Sequence, residues 1–348
     1  MKKKLPVWAL ALLDLAAAAV CVGAVLLVTY ILPQGSAVIQ DEDSSTDIAS
    51  QQQFTLPSQE GSGESADGAL GIPPASTNDW SHADTSSLAA DQSEIDAFHA
   101  AEKTRKTVQE YAGKTAEFTI EQVSCTINGE PLVYFTADLY VTSTRCIQTA
   151  FAQSTYGRNI RDYVDKMARD NNALLAISGD SYGESSRTCV IRNGTLYNSD
   201  PGTSDVCVLY LDGTMKTYSA SQFDAEQAIQ DGAWQTWTFG PALLDSGEIL
   251  DSFHSTEYLN KVNPRCAIGY IAPGHYLFVL VDGRQDGYSA GVTMSQLAAL
   301  MQEEGCQTAY NLDGGKSAVM YYDGDWINHP IGMGREISDC IYLAAEEE

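Results

Sequence analysis

The dipeptides Asn128-Gly129, Asn193-Gly194, Asp212-Gly213 and Asp323-Gly324 punctuate the C-terminal two-thirds of this chain. Each lies beside runs rich in β-branched, aliphatic or aromatic residues. Asn-Gly and Asp-Gly provide the positive-φ residues of a two-residue hairpin, so each dipeptide joins sequential strands antiparallel. The runs so paired are 118–123 with 133–141, 189–192 with 195–197, and 206–211 with 215–218. Pro273-Gly274 joins 267–272 to 276–281. Residues 236–244 read as a strand interrupted at Gly240-Pro241, and 337–343 as a terminal strand.

Helices are interleaved. Ile160, Val164, Met167 and Ala168 mark one within 158–171, and a second is expected over 221–229. Thr293 with Gln296 forms a capping box that opens a helix over 294–304, closed by Gly305. Ile95, Phe98, Ala101, Val108 and Tyr111 predict an amphipathic linking helix over 94–112. The expected fold is α+β, a mixed, largely antiparallel β-sheet core with interleaved helices over 113–348.

The N-terminus follows other rules. Lys2, Lys3 and Lys4 precede an apolar run over 7–32, which as a helix would reach about 39 Å, beyond a ~30 Å hydrocarbon core. This predicts a transmembrane signal anchor over 7–32. The lysines at 1–6 stay cytoplasmic and the remainder lies outside the cell membrane. Residues 33–93 are acidic, polar and free of Lys and Arg, which predicts a disordered stalk. A formal net charge of −26 argues against nucleic acid as a partner. The cysteines show no CxxC or Cys/His metal spacing, and a disulfide such as Cys189 with Cys207 is left open. Asn193-Gly194-Thr195 also fits a glycosylation sequon.

Chemistry concentrates at strand ends. Asn311, Leu312, Asp313, Gly314, Gly315, Lys316 and Ser317 form a turn holding an amide, a carboxylate and a hydroxyl around two glycines. Ser178, Gly179 and Asp180 end another apolar strand, and Asp282, Gly283 and Arg284 a third. Arg265 and Arg284 flank the 267–281 hairpin, and Arg335 comes late. Guanidinium forks among carboxylates suit an anionic ligand carrying a bond to be hydrolysed. The three aspartates are equally of a type to bind Ca²⁺ or Mg²⁺. His254, His275 and His329 are isolated in the sequence, and Ser178 lacks a GxSxG setting.

Taken together, Asn311 to Gly315, Asp282-Gly283-Arg284, Gly287 to Thr293, Phe239-Gly240-Pro241, Pro264-Arg265 with Ala267-Ile268-Gly269, and Arg335 to Ser338 resemble the phosphodiester glycosidase family. The resemblance covers roughly residues 115 to 345. Where that family typically has Asn-Gly-Gly-Phe-Phe, this chain has Ser178-Gly179-Asp180-Ser181-Tyr182, and Lys316 stands where a third glycine is common. The resemblance implies hydrolysis of a sugar-1-phosphodiester, of the N-acetylglucosamine-1-phosphate type, at the anomeric carbon. Such chemistry wants a carboxylate beside an oxocarbenium-like centre and a second one attacking or activating water. On that basis Asp313 and Asp282 are the expected carboxylates, with Asp180 as a further catalytic candidate. Arg265 and Arg284 are expected on the phosphate, and Asn311, Gly314, Gly315, Ser317 and Ser178 around the substrate. With the anchor, the substrate would be an envelope or exopolysaccharide glycan. Two other functions fit the same residues: a metal-dependent phosphodiesterase cutting P–O, and a non-catalytic envelope-glycan binding module.

Overall fold

The computed structural model describes Leu15 and residues 18–27, 32–35, 52–59, 87–184 and 187–346. An eight-stranded sheet runs in the order Glu248–Ile249, Ala242–Asp245, Thr308–Leu312, Arg265–Ala272, His275–Val281, Glu130–Val141, Ala116–Ile127 and Thr104–Ala112. A five-stranded sheet has the order Asp325–Trp326, Met320–Tyr322, Ala173–Ser178, Asp339–Ala344 and Ile147–Phe151. Met215–Tyr218, Val206–Tyr210 and Ala233–Trp237 form a third. Neighbouring strands in these sheets are antiparallel. The α+β class and the largely antiparallel core expected from sequence are thus present, with the strands divided among several sheets rather than gathered in one mixed sheet.

Side-chain alternation explains how the sheets share a core. Leu175, Ile177, Met320, Ile341 and Leu343 of the five-stranded sheet join the apolar cluster of the large sheet. Their neighbours Ala176, Tyr321, Cys340 and Tyr342 turn to the other face, with Val164, Met167 and Ala168 of the helix Val164–Asp170. The helix Met294–Glu303 is buried along most of its length and carries the capping box, with Thr293 and Gln296 reciprocally bonded.

The turn chemistry decides register locally. Asn128 and Gly129 have φ of 52° and 87°, and Ile127 pairs directly with Glu130. Asn193-Gly194 and Asp323-Gly324 behave alike. At Asp212-Gly213 only the glycine has positive φ and the last pair is Leu209 with Met215, so this loop is wider. The Asn193 amide is used at both ends, accepting from Thr149 N and donating to Thr149 O, each at 3.0 Å. The sequon is therefore part of a packed hairpin. Cys189 and Cys207 are both free thiols.

Several expectations give way. The helix predicted over 94–112 spans only Gln92–Ala100, and Thr104–Ala112 is instead an edge strand on Ala116–Ile127. The Lys103 ammonium ends the helix by binding Phe98 O at 2.7 Å and Ala101 O at 3.2 Å, an arrangement favoured at a helix C-terminus. Most of the 7–32 span lies outside the described residues. Residues 18–27 are helical, and among the described residues no helix is long and apolar enough to cross a membrane.

Part of the predicted disordered stalk is ordered. Residues 52–59 lie on the folded body, where Phe54 N donates to Thr142 O at 2.8 Å and Leu56 is fully buried. The Phe54 ring covers Gly274, where a Cβ would sit 2.6 Å from its Cγ. Two apolar side chains in a polar stretch help to seat it, their burial being worth ~3 kcal/mol or more, together with Ser58 N, which donates to Glu117 Oε2 at 3.2 Å. Replacing both Phe54 and Leu56 with Ala is expected to speed proteolytic cleavage within 52–59 by at least about tenfold. Circular dichroism should show the body unchanged. Equal cleavage rates would mean that other contacts hold the segment.

Candidate active site

The central strands end together. Cys266 pairs with Leu312 and Arg265 with Val281, so Asp313, Arg265 and Asp282 leave adjacent strands at one end of the large sheet. The second sheet reaches the same place, since Asp313 N donates to Gly179 O at 3.1 Å. The glycines of the turn allow its backbone to lie on Pro264. Gly315 N donates to Pro264 O at 2.9 Å, and a Cβ on Gly314 would fall 2.8 Å from that oxygen. Gly315 also has φ of +62°, a conformation L side chains avoid.

On this platform the Asp313 carboxylate is buried and receives Arg335. Nη2 of Arg335 donates to Oδ1 at 3.2 Å and Oδ2 at 3.3 Å, while its Nε donates to Ser317 Oγ at 2.9 Å. About half of the Arg335 side chain remains exposed (51 %). The exposed Arg284 stands on the other side of the turn. Its guanidinium nitrogens lie 3.8 Å from where a Gly315 Cβ would be, and its Nε donates to Asn263 Oδ1 at 3.0 Å. Asn311 is buried, with Nδ2 donating to Gly240 O at 2.7 Å and Oδ1 left without a hydrogen bond. A buried acceptor without a donor is costly unless something fills that place.

Other expected residues are committed elsewhere. Arg265 is buried and its fork serves backbone carbonyls, Val292 O at 3.1 Å, Leu259 O at 2.5 Å and Lys261 O at 2.6 Å. It fastens the 259–263 loop and cannot also face a phosphate. Burial, with Arg284 nearby, pulls its pKa down to about 9. Asp282 accepts from Asn328 Nδ2 and Tyr288 OH at 2.9 Å and from His329 N at 3.0 Å. Its Oδ2 thus receives two donors and its Oδ1 one, and the carboxylate is buried. Asp180 accepts from Thr238 N and Ser181 N, each at 2.7 Å, deep in the protein. Ser178 Oγ donates to Ser317 O and accepts from Val319 N at 3.1 Å, clamping the turn to the second sheet.

Beneath the turn lies a buried ion cluster. Arg192 Nε donates to Asp339 Oδ2 at 2.7 Å, and Arg192 Nη2 is 3.7 Å from Asp180 Oδ2. Asp339 Oδ1 accepts from Asp180 N at 2.6 Å. Burial and the second carboxylate push Asp339 up to about 6, against the pull of Arg192. Among the described residues no group of three or more His, Cys, Asp or Glu is placed to hold a metal ion, and Asp180, Asp282 and Asp313 each face different donors.

The profile of the phosphodiester glycosidase family matches residues 171–344. That segment contains the Asp313 turn, Arg284 and Arg335. The chain belongs to the phosphodiester glycosidase family. A curated relative, the SPbeta prophage-derived uncharacterized protein YomE of Bacillus subtilis, is 30% identical over 203 residues. The match covers 56% of this chain and 31% of YomE, so this chain spans about a third of that relative. Among solved structures, the catalytic domain of zebrafish N-acetylglucosamine-1-phosphodiester alpha-N-acetylglucosaminidase, auto-inhibited by its pro-peptide, superposes with a TM-score of 0.55. It shares 18% identity, covering 70% of this chain and 88% of that one, and so speaks for the fold.

Within this phosphodiester glycosidase domain, sequence reading missed the partners that matter most. Arg335 carried the signal of its place in the final motif but no sign that it would reach Asp313. Tyr288 lay within the Gly287 to Thr293 run and His329 stood as an isolated histidine, but nothing joined them to Asp282, and Arg192, Asp339 and Asn328 carried no signal, because these contacts join residues far apart in the chain.

Proposed function

We propose that this domain hydrolyses the glycosidic bond of a sugar-1-phosphodiester of the N-acetylglucosamine-1-phosphate type, freeing the sugar and leaving a phosphomonoester. The observation that carries this reading is Asp313, a buried carboxylate kept beside a half-exposed guanidinium at the crossing of two sheets. Positive charge growing on the anomeric carbon is stabilised by Asp313. The departing phosphate is received by the outer part of Arg335 and by Arg284, which offset its charge without a proton. Arg335 thus takes the place that sequence assigned to Arg265. Asn311 and Ser317 border the sugar.

Lys2 to Lys4 ahead of the apolar 7–32 run support a single-pass anchor with the domain outside the membrane. Envelope or exopolysaccharide glycans are then the substrates within reach. Incubating the protein with an N-acetylglucosamine-1-phosphodiester in ¹⁸O-water tests the reading. Label is expected in the free sugar. Label in the phosphate would replace the glycosidase with a phosphodiesterase cutting P–O, and glycan binding without turnover would leave only a binding module.

A further inference from the structure

His329 is solitary in the sequence but not in the fold. The preceding Asn328 is locked onto the segment that leaves the Asp313 turn. Its Nδ2 donates to Ala318 O at 3.1 Å and Asp282 Oδ1 at 2.9 Å, and its Oδ1 accepts from Met320 N at 2.8 Å. The backbone N of His329 donates to Asp282 Oδ2 at 3.0 Å, and Gln285 Nε2 donates to His329 O at 2.8 Å. The ring is fixed as well. His329 Nδ1 lies 2.8 Å from Tyr288 OH, and the two rings meet edge-on with centroids 5.2 Å apart.

This geometry dictates the proton on the ring. Asp282 only accepts, and Tyr288 has one hydroxyl proton, which goes to Asp282 Oδ2 at 2.9 Å. The tyrosine oxygen then has only lone pairs to offer, so His329 Nδ1 must be the donor in that contact. Neutral His329 is therefore the Nδ1–H tautomer, with a free lone pair on Nε2. Burial and the charge of Asp282 raise the Tyr288 pKa further, so the phenol keeps its proton through neutral pH. His329 itself is exposed, whereas Asp282 is buried and Tyr288 half-buried. Arg284 directly precedes Gln285, whose Nε2 holds His329 O, and Asn328 Nδ2 binds Ala318 O, the residue after Ser317, whose Oγ accepts from Arg335 Nε.

We propose that His329 Nε2 is the proton acceptor for the attacking water, with Tyr288 and Asp282 as its positioning residues. This rests on the glycosidase reading and deepens it: the second carboxylate that the chemistry wants, Asp282, is buried and receives three donors, whereas the imidazole held beside it through Tyr288 is exposed to water. As the water oxygen bonds to the anomeric carbon, its O–H proton passes to Nε2. The bond from that carbon to the phosphate oxygen breaks, and its electron pair leaves with the phosphomonoester. The imidazolium then returns the proton to solvent. His275 and His99 are set differently. His275 pairs with Asp138 at 2.6 Å beside Tyr140, at the far end of its strand from Asp282, and His99 lies against Ala299 O.

The experiment measures sugar release by wild type, His329→Ala and Tyr288→Phe, with and without added imidazole, alongside ring ¹⁵N spectra of the ¹⁵N-histidine-labelled protein free of substrate. His329→Ala is expected to lower kcat by about 10²–10⁴-fold, and imidazole is expected to restore part of it. Tyr288→Phe should cause a smaller loss and remove the Nδ1–H preference seen in the wild-type spectrum. Wild-type turnover in His329→Ala, a loss that imidazole does not relieve, or an Nε2–H tautomer in the wild type would each overturn the assignment. A wild type that turns over while His329→Ala matches it removes this inference alone. A wild type that releases no sugar removes the glycosidase reading and this inference with it.

Discussion

Asp313→Asn is expected to abolish nearly all sugar release, by about 10²–10³-fold or more, while leaving the protein folded. The substitution is isosteric, and the backbone contact of residue 313 with Gly179 O does not involve the side chain. What disappears is a negative charge aimed at a developing positive one, in a place where solvent screens it little, and such fixed electrostatics account for losses of this size. The cost to stability is small by comparison. Arg335 is half-exposed and regains water when its partner is neutral, so the loss is expected at about 1 kcal/mol or less. Thermal unfolding and sugar release measured on the same preparation separate the two effects. Activity within threefold of wild type would show that Asp313 is not the group facing the anomeric carbon.

The largest stability effect is expected at Arg192. Arg192→Met leaves Asp180 and Asp339 buried together without their cation, and a broken buried pair typically costs about 3–5 kcal/mol. The sign of its pH dependence follows from proton binding. Asp339 is already held up to about 6, above its ordinary value of 3.8, by burial and Asp180, and Arg192 is what opposes this. Without Arg192 the native state holds protons that the unfolded chain has released. Stability then falls as pH rises from about 4 through the elevated native pKa, and levels off above it. Urea unfolding should therefore show a larger deficit for the variant at pH 8 than at pH 5. A deficit independent of pH would mean that the cost is one of packing and not of charge. Activity should fall with it, because Asp339 holds Asp180 N, and Gly179 beside it accepts from Asp313 N.

Lys316 is a point where this chain departs from the family pattern, and it sits in the exposed outer part of the turn while Ser317 is buried. The Asp313 turn itself is tolerant of this change, since Gly314 and Gly315 make the close approach to Pro264 and residue 316 does not.

The outcome at particular residues shows where reading a sequence succeeds. Asn128-Gly129 and Asn193-Gly194 could be placed because a two-residue turn needs positive φ at both positions, a demand met within the dipeptide. The capping box at Thr293 and Gln296 was legible for the same reason, since both partners lie within one helical turn. The helix over 94–112 failed because its apolar spacing fitted a helix locally, while pairing with the 116–127 strand was not visible. Residues 52–59 failed because composition reports the average of a stretch, whereas Phe54, Leu56 and Ser58 find individual partners on the folded body.

The amino-acid order alone thus determined the antiparallel hairpins, the capped helix, the Asp313 turn and the family to which the domain belongs, since each depends on residues within a few positions of one another or on a contiguous motif. Only the tertiary structure decided that Arg335 meets Asp313 while Arg265 binds backbone carbonyls, that Asp180 is buried with Arg192 and Asp339, and that Asp282 is joined to Tyr288 and His329. The reason is one of range. A guanidinium reaches several ångströms, so which carboxylate it meets is set by how whole sheets pack, and no local rule carries that information.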